Sequence, residues 1–324
     1  MSETTYLDAI RRALFEEMER DESVFVMGQD IAAFGGAFRA TKGLYERFGK
    51  LRVINTPLME SGAVGMALGA AIAGKRPVIE MQFADFVSCG FNQIVNNLAK
   101  TYYRWKAPVP VVIRLPYGGG VGSGPFHSQS PEAWFAHTPG LVVVAPSTAG
   151  DALGLLKSSI RDSNPVMFLE HRFLYRREKE ILPEGDHCVP IGRARVVRAG
   201  DAVTVLAWGW AVGEALVAAD ELATEGVSAE VVDLRSLVPL DEETVFASVR
   251  KTGKALIVHE ATVTGGFGGE LAARIADACF EDLDGPVKRV AYPDRASPYN
   301  KKLEASLLPD RAKVVGALRG LARY

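Results

Sequence analysis

The sequence contains little cysteine and no long apolar run, and both shortages restrict its class. Its three cysteines, Cys89, Cys188 and Cys279, are far apart, and no Cys-x-x-Cys pair occurs. Neither a zinc site nor a disulfide scaffold is therefore indicated, and a reducing compartment is the simple interpretation. The first residues, MSETTYLDAIRRALFEEM, lack the apolar core of a signal sequence, so we expect a cytoplasmic location. No apolar run reaches membrane length, so no membrane association is expected.

A bias in charge is also missing. The 324 residues carry a formal net charge of -2, and their lysines and arginines are dispersed. We therefore expect no nucleic-acid partner. With 48% hydrophobic and 23% charged residues, the composition is that of a soluble globular protein with enough length for two domains.

Two motifs of nucleotide binding and catalysis are absent as well. The glycine-rich stretch AAFGGAFRATKGL lacks Gly-x-Gly-x-x-Gly, so a dinucleotide site has no support. No Gly-x-Ser-x-Gly elbow accompanies Ser128 and Ser130, which argues against a serine nucleophile beside His127.

Apolar strand patterns alternate with amphipathic helix patterns along the chain. Residues 5–20 repeat apolar side chains at helical spacing, whereas VPVVIRLP at 109–116 predicts a buried strand. This alternation predicts an α/β fold of two doubly wound domains, each with a parallel sheet covered on both faces. We place the domains at 1–185 and 202–324, joined by a charged linker at 186–201 that contains a short hairpin or edge strand.

The most informative stretch spans residues 53–86, VINTPLMESGAVGMALGAAIAGKRPVIEMQFADF. Its small-residue run at 62–73 predicts a helix that another backbone approaches closely. Glu60 stands at the N-terminal end of this helix. One interpretation is an acid that interacts with the helix dipole. The other is a partly desolvated acid that exchanges a proton with a ligand nitrogen.

TPLMESGAVGMALGAA followed by EMQFADF resembles the beta subunits of the thiamine-diphosphate-dependent 2-oxo acid dehydrogenases. These are decarboxylating components of the pyruvate, branched-chain and acetoin dehydrogenase complexes. The resemblance covers nearly the whole chain and implies a pyrimidine-binding domain followed by a transketolase C-terminal-like domain. It implies that Glu60 hydrogen-bonds a ring nitrogen of the cofactor's aminopyrimidine and favours the imino tautomer, which removes the thiazolium proton. Leu58 is implied as a cofactor contact, and Gln82 and Phe86 are implied to line and stack on the pyrimidine.

His127 is the second candidate catalytic residue. It follows five glycines in 118–124, which predict a flexible loop, and it precedes Ser130, a good helix cap. A lone histidine is usually a surface or satisfied core group. However, GPFHSQSPEAWFAH resembles the same family, which implies that His127 faces the thiazolium and assists acyl transfer to the lipoyl dithiolane. We interpret His259 as structural, although the pair His259-Glu260 at a strand end is a weak candidate for part of a site.

The resemblance also implies a possible structural potassium ion. The matching positions are Val109, Val111, Val112, Ser159, Asp162 and Asn164. Backbone carbonyls and one carboxylate suit a hard monovalent cation. The alternative interpretation is an Asp-x-Asn turn that caps itself.

The diphosphate half of such a cofactor site is missing from the sequence. In this superfamily that half has a Gly-Asp-Gly motif, but Gly185-Asp186 is followed here by histidine. The resemblance therefore implies that thiamine diphosphate is shared with an alpha subunit, which holds most of the Mg²⁺ site, in a heterotetramer of two alpha and two beta chains. One departure is Gln29, which stands where family members usually have an acid that is thought to carry protons between the two cofactor sites.

The expected activity is that of an oxidoreductase acting on a 2-oxo acid, with the lipoyl disulfide of an acyltransferase core as acceptor. AFGGAFRATKGL, HSQSPEAWFAH and EATVTGGFGGE look nearer the branched-chain members than the pyruvate members, with pyruvate and acetoin dehydrogenase as alternatives. Two other classes stay open: a doubly wound binding or electron-transfer module, and a self-sufficient transketolase-like enzyme. Copurification with a second chain would favour the subunit, and a flavin would favour the electron-transfer module.

Overall fold

The computed structural model describes residues 3–324, which divide into two compact units. The first unit comprises 3–117 and 134–191, and the second comprises 118–133 and 192–324. The glycine-rich segment 118–133 thus groups with the second unit although it interrupts the first in sequence. The domain boundaries drawn from the sequence stay a prediction.

The described residues form both strands and α-helices in each unit. In chain order they are β1 (Thr4–Thr5), α1 (Tyr6–Arg20), β2 (Val24–Gly28), α2 (Leu44–Phe48), β3 (Val53–Asn55), α3 (Glu60–Ile72), β4 (Arg76–Glu80), α4 (Ala99–Trp105), β5 (Val112–Tyr117), α5 (Glu132–Ala136), β6 (Val142–Val144), α6 (Ala149–Arg161), β7 (Val166–His171), β8 (Lys179–Glu180), β9 (Arg195–Arg198), β10 (Val203–Ala207), α7 (Trp210–Ala223), β11 (Ala229–Asp233), β12 (Ser236–Val238), α8 (Glu242–Thr252), β13 (Ala255–Thr262), α9 (Phe267–Ala278), β14 (Lys288–Tyr292), α10 (Lys301–Leu307) and α11 (Arg311–Leu321). None of the helices within residues 3–324 is long and apolar enough to cross a membrane.

Helix α1 confirms the amphipathic pattern at 5–20. The Thr5 hydroxyl accepts a hydrogen bond from the Asp8 amide, which satisfies one of the free N–H groups of the first turn. Leu7 and Ile10 are buried on the face that packs against α6. Local sequence signals therefore account for both the start and the orientation of this helix.

The first unit is built on a parallel sheet with the strand order β6-β7-β5-β4-β2-β3. The chain leaves β2 for β3 on one side and then returns to β4 on the other side. The topological switch of the sheet therefore falls at β2. In sheets of this kind, ligands bind in the crevice outside the carboxyl ends of the strands at such a point.

Two helical segments of the first unit lie next to the carboxyl edge of its sheet. Helix α3 begins at Glu60 itself, so the acid is the first residue of the helix. Between β4 and α4 the chain forms a 3-10 turn at Ala84–Gly90 and a π-helix at Gln93–Leu98. Such irregular turns are frequent beside functional sites.

The second unit contains a five-stranded sheet with the order β14-β13-β10-β11-β9. Strand β9 is antiparallel to β11, and the other neighbours are parallel. Helices α7 and α11 cover one face, where Val205, Val258 and Leu318 belong to one buried cluster. The second doubly wound unit and the edge strand predicted in the linker are therefore confirmed.

Candidate functional site

Glu60 lies at the carboxyl edge of the first sheet, where the topological switch predicts a ligand crevice. Gln29 follows β2 directly, and its Nε2 donates a hydrogen bond to Oε1 of the half-buried Glu60 at 3.1 Å. Because an ionised carboxylate can only accept hydrogen bonds, the NH₂ end of Gln29 is the end that faces it. The residue that departs from the family pattern is thus the direct partner of the predicted catalytic acid.

Gln82 and Asp30 form a second polar pair at the same edge. Gln82 Nε2 donates to Asp30 Oδ2 at 3.2 Å, which links the segment after β4 to the segment after β2. Asp30 has a φ of 58°, in the left-handed region that aspartate tolerates better than most residues. Asp30 is therefore engaged with Gln82 in this arrangement.

Two apolar side chains complete the predicted cofactor contacts. Leu58 lies between β3 and α3 and is 79% exposed. Phe86 lies in the 3-10 turn and is half-buried, and its ring meets that of Phe83 edge to face with centroids 5.5 Å apart. The structure thus places all four predicted cofactor residues after the carboxyl ends of β3 and β4, the two strands that flank β2.

The close approach of β2 and β4 depends on Gly28. A Cβ atom at this position would lie 2.6 Å from the carbonyl oxygen of Glu80. Real Cβ atoms do not approach backbone oxygens so closely, so any other residue would push the strand ends apart. The missing side chain therefore sets the spacing between the residues that follow the two strands.

A buried ionic network supports this edge from inside the sheet. Arg114 of β5 donates to Glu80 Oε2 at 2.6 Å and to both oxygens of Glu170 at 2.5 and 2.8 Å. The Tyr175 hydroxyl donates to Glu170 Oε2 at 2.8 Å. Burial raises the pKa of Glu80 although Arg114 opposes the shift. One guanidinium thus faces two buried carboxylates, Glu80 and Glu170.

The same network holds the segment that follows β2. The Ala37 backbone donates a hydrogen bond to Glu80, and a Cβ atom at Gly36 would lie 2.3 Å from Glu80 Oε1. The sequence analysis did not single out this network. A detectable signal was available, because Glu80, Arg114 and Glu170 are charged residues inside otherwise apolar strand patterns.

The six positions assigned to potassium lie before β5 and at the end of α6. Val109 N donates to Ser163 O at 2.9 Å, which brings the two segments together. Asp162 Oδ1 accepts from both the backbone N and the Nδ2 of Asn164, at 2.7 and 2.8 Å. The self-capping turn therefore exists, and the potassium site stays a prediction. Within residues 3–324, no three His, Cys, Asp or Glu side chains are grouped so that they could hold a metal ion.

His127 belongs to the second unit, where it follows the glycine segment. Its side chain is half-buried, and its backbone N donates to Gly124 O at 3.3 Å. Its candidate role is not tested by this geometry.

The second unit also contains buried groups that the sequence analysis missed. Trp208 Nε1 donates to Glu132 Oε1 at 3.2 Å, and burial raises the pKa of Glu132 to about 8. Trp208 also stacks on His259, with ring centroids 5.2 Å apart and planes 5° from parallel. Burial lowers the pKa of His259 to about 4, so the imidazole is neutral at pH 7. A neutral ring stacked in the core agrees with the structural interpretation of His259.

The two units correspond to a known pair of domains. The family model of the transketolase pyrimidine-binding domain matches residues 2–178, and that of the transketolase C-terminal domain matches residues 192–314. A solved split-gene transketolase, described as an inactive beta4 tetramer, is 25% identical with a TM-score of 0.80 over 99% of each chain. The molecule is thus a transketolase-type α/β protein, which confirms the predicted fold class.

Full-length relatives narrow this class. The 2-oxoisovalerate dehydrogenase subunit beta of Bacillus subtilis (strain 168) is 49% identical, with 100% of each chain covered. The pyruvate dehydrogenase E1 component subunit beta of the same organism is 44% identical, also over 100% of each chain. The chain belongs to the family of thiamine-dependent 2-oxo acid dehydrogenase beta subunits, which confirms the resemblance. Both branched-chain and pyruvate members are close, so the family alone leaves the substrate open.

Proposed function

We propose that this chain is the beta subunit of a branched-chain 2-oxo acid dehydrogenase. With an alpha subunit, it decarboxylates a branched 2-oxo acid on thiamine diphosphate and delivers the acyl group to the lipoyl arm of an acyltransferase core. The observation that carries the proposal is the placement of Glu60 at the topological switch, with one carboxylate oxygen held by Gln29. The 49% identity to the 2-oxoisovalerate enzyme favours a branched substrate over pyruvate, at 44%.

The residues at this edge fit the aminopyrimidine of the cofactor. A carboxylate, an amide, an aromatic ring and an exposed leucine are available together at Glu60, Gln82, Phe86 and Leu58. The carboxylate can meet a ring nitrogen, while the apolar side chains can cover the ring faces. When bound, thiamine diphosphate supplies the nucleophilic carbon and the electron sink for decarboxylation.

Glu60 is the residue that moves a proton in this proposal. Gln29 occupies Oε1, so we assign the second carboxylate oxygen to the pyrimidine ring nitrogen. A fixed hydrogen bond to one oxygen also limits rotation of the carboxylate, so the other keeps its direction. Gln29 is therefore a positioning residue, whereas the acid found there in other family members would place a second carboxylate beside Glu60.

His127 is proposed to act in the second half-reaction. Transfer of the acyl group to the dithiolane requires a proton at the leaving sulfur. The imidazole of His127 is half-buried, and an imidazole can both accept and donate a proton. The division of labour assigns proton transfer at the pyrimidine to Glu60 and at the lipoyl sulfur to His127.

Several partners and ions belong to the same proposal. The alpha subunit would hold the diphosphate and most of the Mg²⁺ site, in a heterotetramer of two alpha and two beta chains. A structural potassium ion would be bound by carbonyl groups at the start of β5 and the end of α6, because Asp162 Oδ1 is engaged by Asn164. The proposed location is the cytoplasm, where the free thiols of Cys89, Cys188 and Cys279 would stay reduced.

The substrate is tested with the chain copurified with its alpha subunit. Steady-state rates are measured with 3-methyl-2-oxobutanoate, pyruvate and acetoin under identical conditions. The proposal expects the highest kcat/KM for the branched 2-oxo acid. A higher kcat/KM for pyruvate or acetoin would assign the chain to that branch of the family instead.

The shared cofactor site is tested by titration calorimetry. The isolated chain should bind thiamine diphosphate weakly or not at all, and addition of the alpha subunit should restore binding. The reason is that this chain lacks the Gly-Asp-Gly motif of the diphosphate half. Micromolar binding by the isolated chain would contradict the shared site.

A further inference from the structure

Two buried carboxylates hold the glycine segment 118–124 of the second unit. The Gly119 amide donates to Glu260 Oε1 at 2.5 Å, and the Gly122 amide donates to Glu304 Oε2 at 2.7 Å. Glu260 is 8% exposed and Glu304 is 1% exposed. Both hydrogen bonds are short and largely shielded from water, so these contacts fix the segment.

The glycines allow the segment to lie directly on residues 299–304. Gly122 and Gly124 have φ values of 73° and 76°, a conformation that side-chain-bearing residues rarely adopt. A Cβ atom at Gly122 would lie 2.6 Å from Cγ of Lys301, and one at Gly124 would lie 2.2 Å from the Tyr299 ring. The contact surface is therefore built for this one backbone path.

The segment leads directly to His127. The His127 amide donates to Gly124 O at 3.3 Å, and Gly124 rests on Tyr299. Glu304 uses its other oxygen to accept from the Ser297 hydroxyl at 3.3 Å, which orients the carboxylate. A short series of contacts thus connects Glu304 to the backbone of His127.

We propose that Glu304, with Glu260, is a positioning residue that fixes the glycine segment and thereby places His127 for acyl transfer. This inference rests on the proposed function for its catalytic consequence, but the anchoring itself does not. Glu304 acts through the backbone and has no contact with a reacting atom in this scheme. Its loss should therefore impair the step that needs His127 and spare the step that needs Glu60.

The test uses the full chain with three variants. Glu304→Leu removes both acceptor oxygens while keeping a side chain of similar size in α10. Glu304→Gln retains a carbonyl oxygen that can accept from Gly122. Glu230→Leu is the matched control, because Glu230 is a buried carboxylate of the same unit that bonds Ser248 and Lys251 instead of the segment.

The first readout is amide hydrogen exchange in the peptide that covers residues 118–127. Glu304→Leu should accelerate its exchange by about tenfold, because the hydrogen bond from the Gly122 amide to a buried acceptor is lost. Glu304→Gln should recover most of the protection. Glu230→Leu should lower the thermal midpoint without changing this peptide. Unchanged exchange in Glu304→Leu would overturn the anchoring.

The second readout compares two rates of the variant assembled with its alpha subunit. Acylation of a free lipoyl domain should fall at least about tenfold more than decarboxylation followed with an artificial electron acceptor. Equal losses in both assays would overturn the positioning of His127. If Glu304→Leu exchanges faster but the wild-type assembly has no activity toward 2-oxo acids, the anchoring is supported and the proposed function is overturned. The two failures are therefore distinguishable.

A fourth variant, Tyr299→Leu, covers the case in which Glu304→Leu does not fold. Tyr299→Leu removes the ring on which Gly124 rests and loosens the segment from its other side. The same acceleration of exchange and the same split between the two rates are expected. A protected segment in this variant would overturn the inference.

Discussion

Two pairs of buried carboxylates, one pair in each unit, have different hydrogen-bond donors. In the first, Glu80 and Glu170 share one guanidinium, that of Arg114. In the second, Glu132 and Glu304 accept hydrogen bonds from neutral donors, the Trp208 indole and the Gly122 amide. Burial is nearly complete in both cases, so the difference lies in the partner of the charge.

The difference in partner changes how each group of carboxylates depends on pH. The Arg114 guanidinium keeps its charge at all physiological pH values, so a cation faces Glu80 and Glu170 throughout that range. Glu132 accepts its hydrogen bond from the Trp208 indole, which is a neutral donor and not a cation. Burial raises its pKa to about 8, so its protonation changes with pH near neutrality. The comparison predicts that first-unit variants alter chemistry or stability at every pH, whereas the effect of a Glu132 variant on stability grows as pH rises towards 8.

The largest effect is expected for Glu60→Gln at the edge of the first unit. An amide cannot exchange a proton with the pyrimidine ring, so hydrogen–deuterium exchange at the thiazolium carbon should slow by about two to four orders of magnitude. The fold and assembly should be kept. Glu46→Gln is the control, because Glu46 is an exposed acid in the first turn of α2. A wild-type exchange rate in Glu60→Gln would mean that Glu60 serves only the helix dipole.

The next largest effect is expected on stability, when the Arg114 guanidinium is removed. Arg114→Met leaves Glu80 and Glu170 buried without their cation, which should destabilise the protein by about 3–5 kcal/mol in urea unfolding. Arg161→Met should cost less, because its partner Glu17 keeps Arg20 and the Arg161 side chain is 28% exposed. Equal losses in the two variants would show that burial does not decide the strength of the network.

His127→Ala should separate the two half-reactions. Lipoyl acylation should fall by about two orders of magnitude or more, while decarboxylation with an artificial acceptor should fall much less. His137→Ala, at an exposed histidine, serves as the control and should leave both rates near wild type. If both rates dropped by the same factor in His127→Ala, the residue would act in cofactor or substrate binding.

The smallest effect at acid pH is expected for Glu132→Gln, and this effect grows as pH rises. Glu132 has a pKa near its ordinary value in the unfolded chain and of about 8 in the fold. Its contribution to stability is therefore fully present at acid pH and is lost as pH rises towards 8. The glutamine cannot ionise and can still accept from Trp208. Its unfolding free energy relative to wild type should rise with pH, by at most about 1.4 kcal/mol per pH unit.

Thermal midpoints of wild type and Glu132→Gln at intervals between pH 5 and pH 9 would check this. The difference between the two proteins should grow through this range and level off above pH 8. A constant difference would mean that Glu132 is already ionised in the fold, and the contrast between the two units would fail.

Local features of this fold follow from the sequence more readily than long-range ones. Helix α1 is predicted by the apolar spacing at 5–20, which is a short-range signal, and the structure adds its cap at Thr5. The candidate role of Glu60 came from the family resemblance. Its contact with Gln29 could not be predicted, because the two residues are 31 positions apart and meet only through the adjacency of β2 and β3.

The carboxylates of the second unit were harder still to foresee. Glu304 lies in an ordinary charged helix pattern, and nothing near it in sequence indicates that it is buried. Glu260 was noticed only as a neighbour of His259. Both accept hydrogen bonds from a glycine segment that the sequence pattern predicts as a flexible loop. The segment and the two carboxylates are far apart in the chain.

That distance has a consequence for biosynthesis. The glycine segment precedes Glu260 by 141 residues and Glu304 by 182 residues, counted from the amides they bind. At about 5–20 residues per second, the ribosome needs roughly 10–40 s to make the chain between Gly122 and Glu304. The segment 118–124 lacks both carboxylate anchors until Glu260 is made, and it lacks the Glu304 anchor throughout that time. The backbone that leads to His127 is therefore among the last parts of the nascent protein to be fastened, after most of both sheets has been translated.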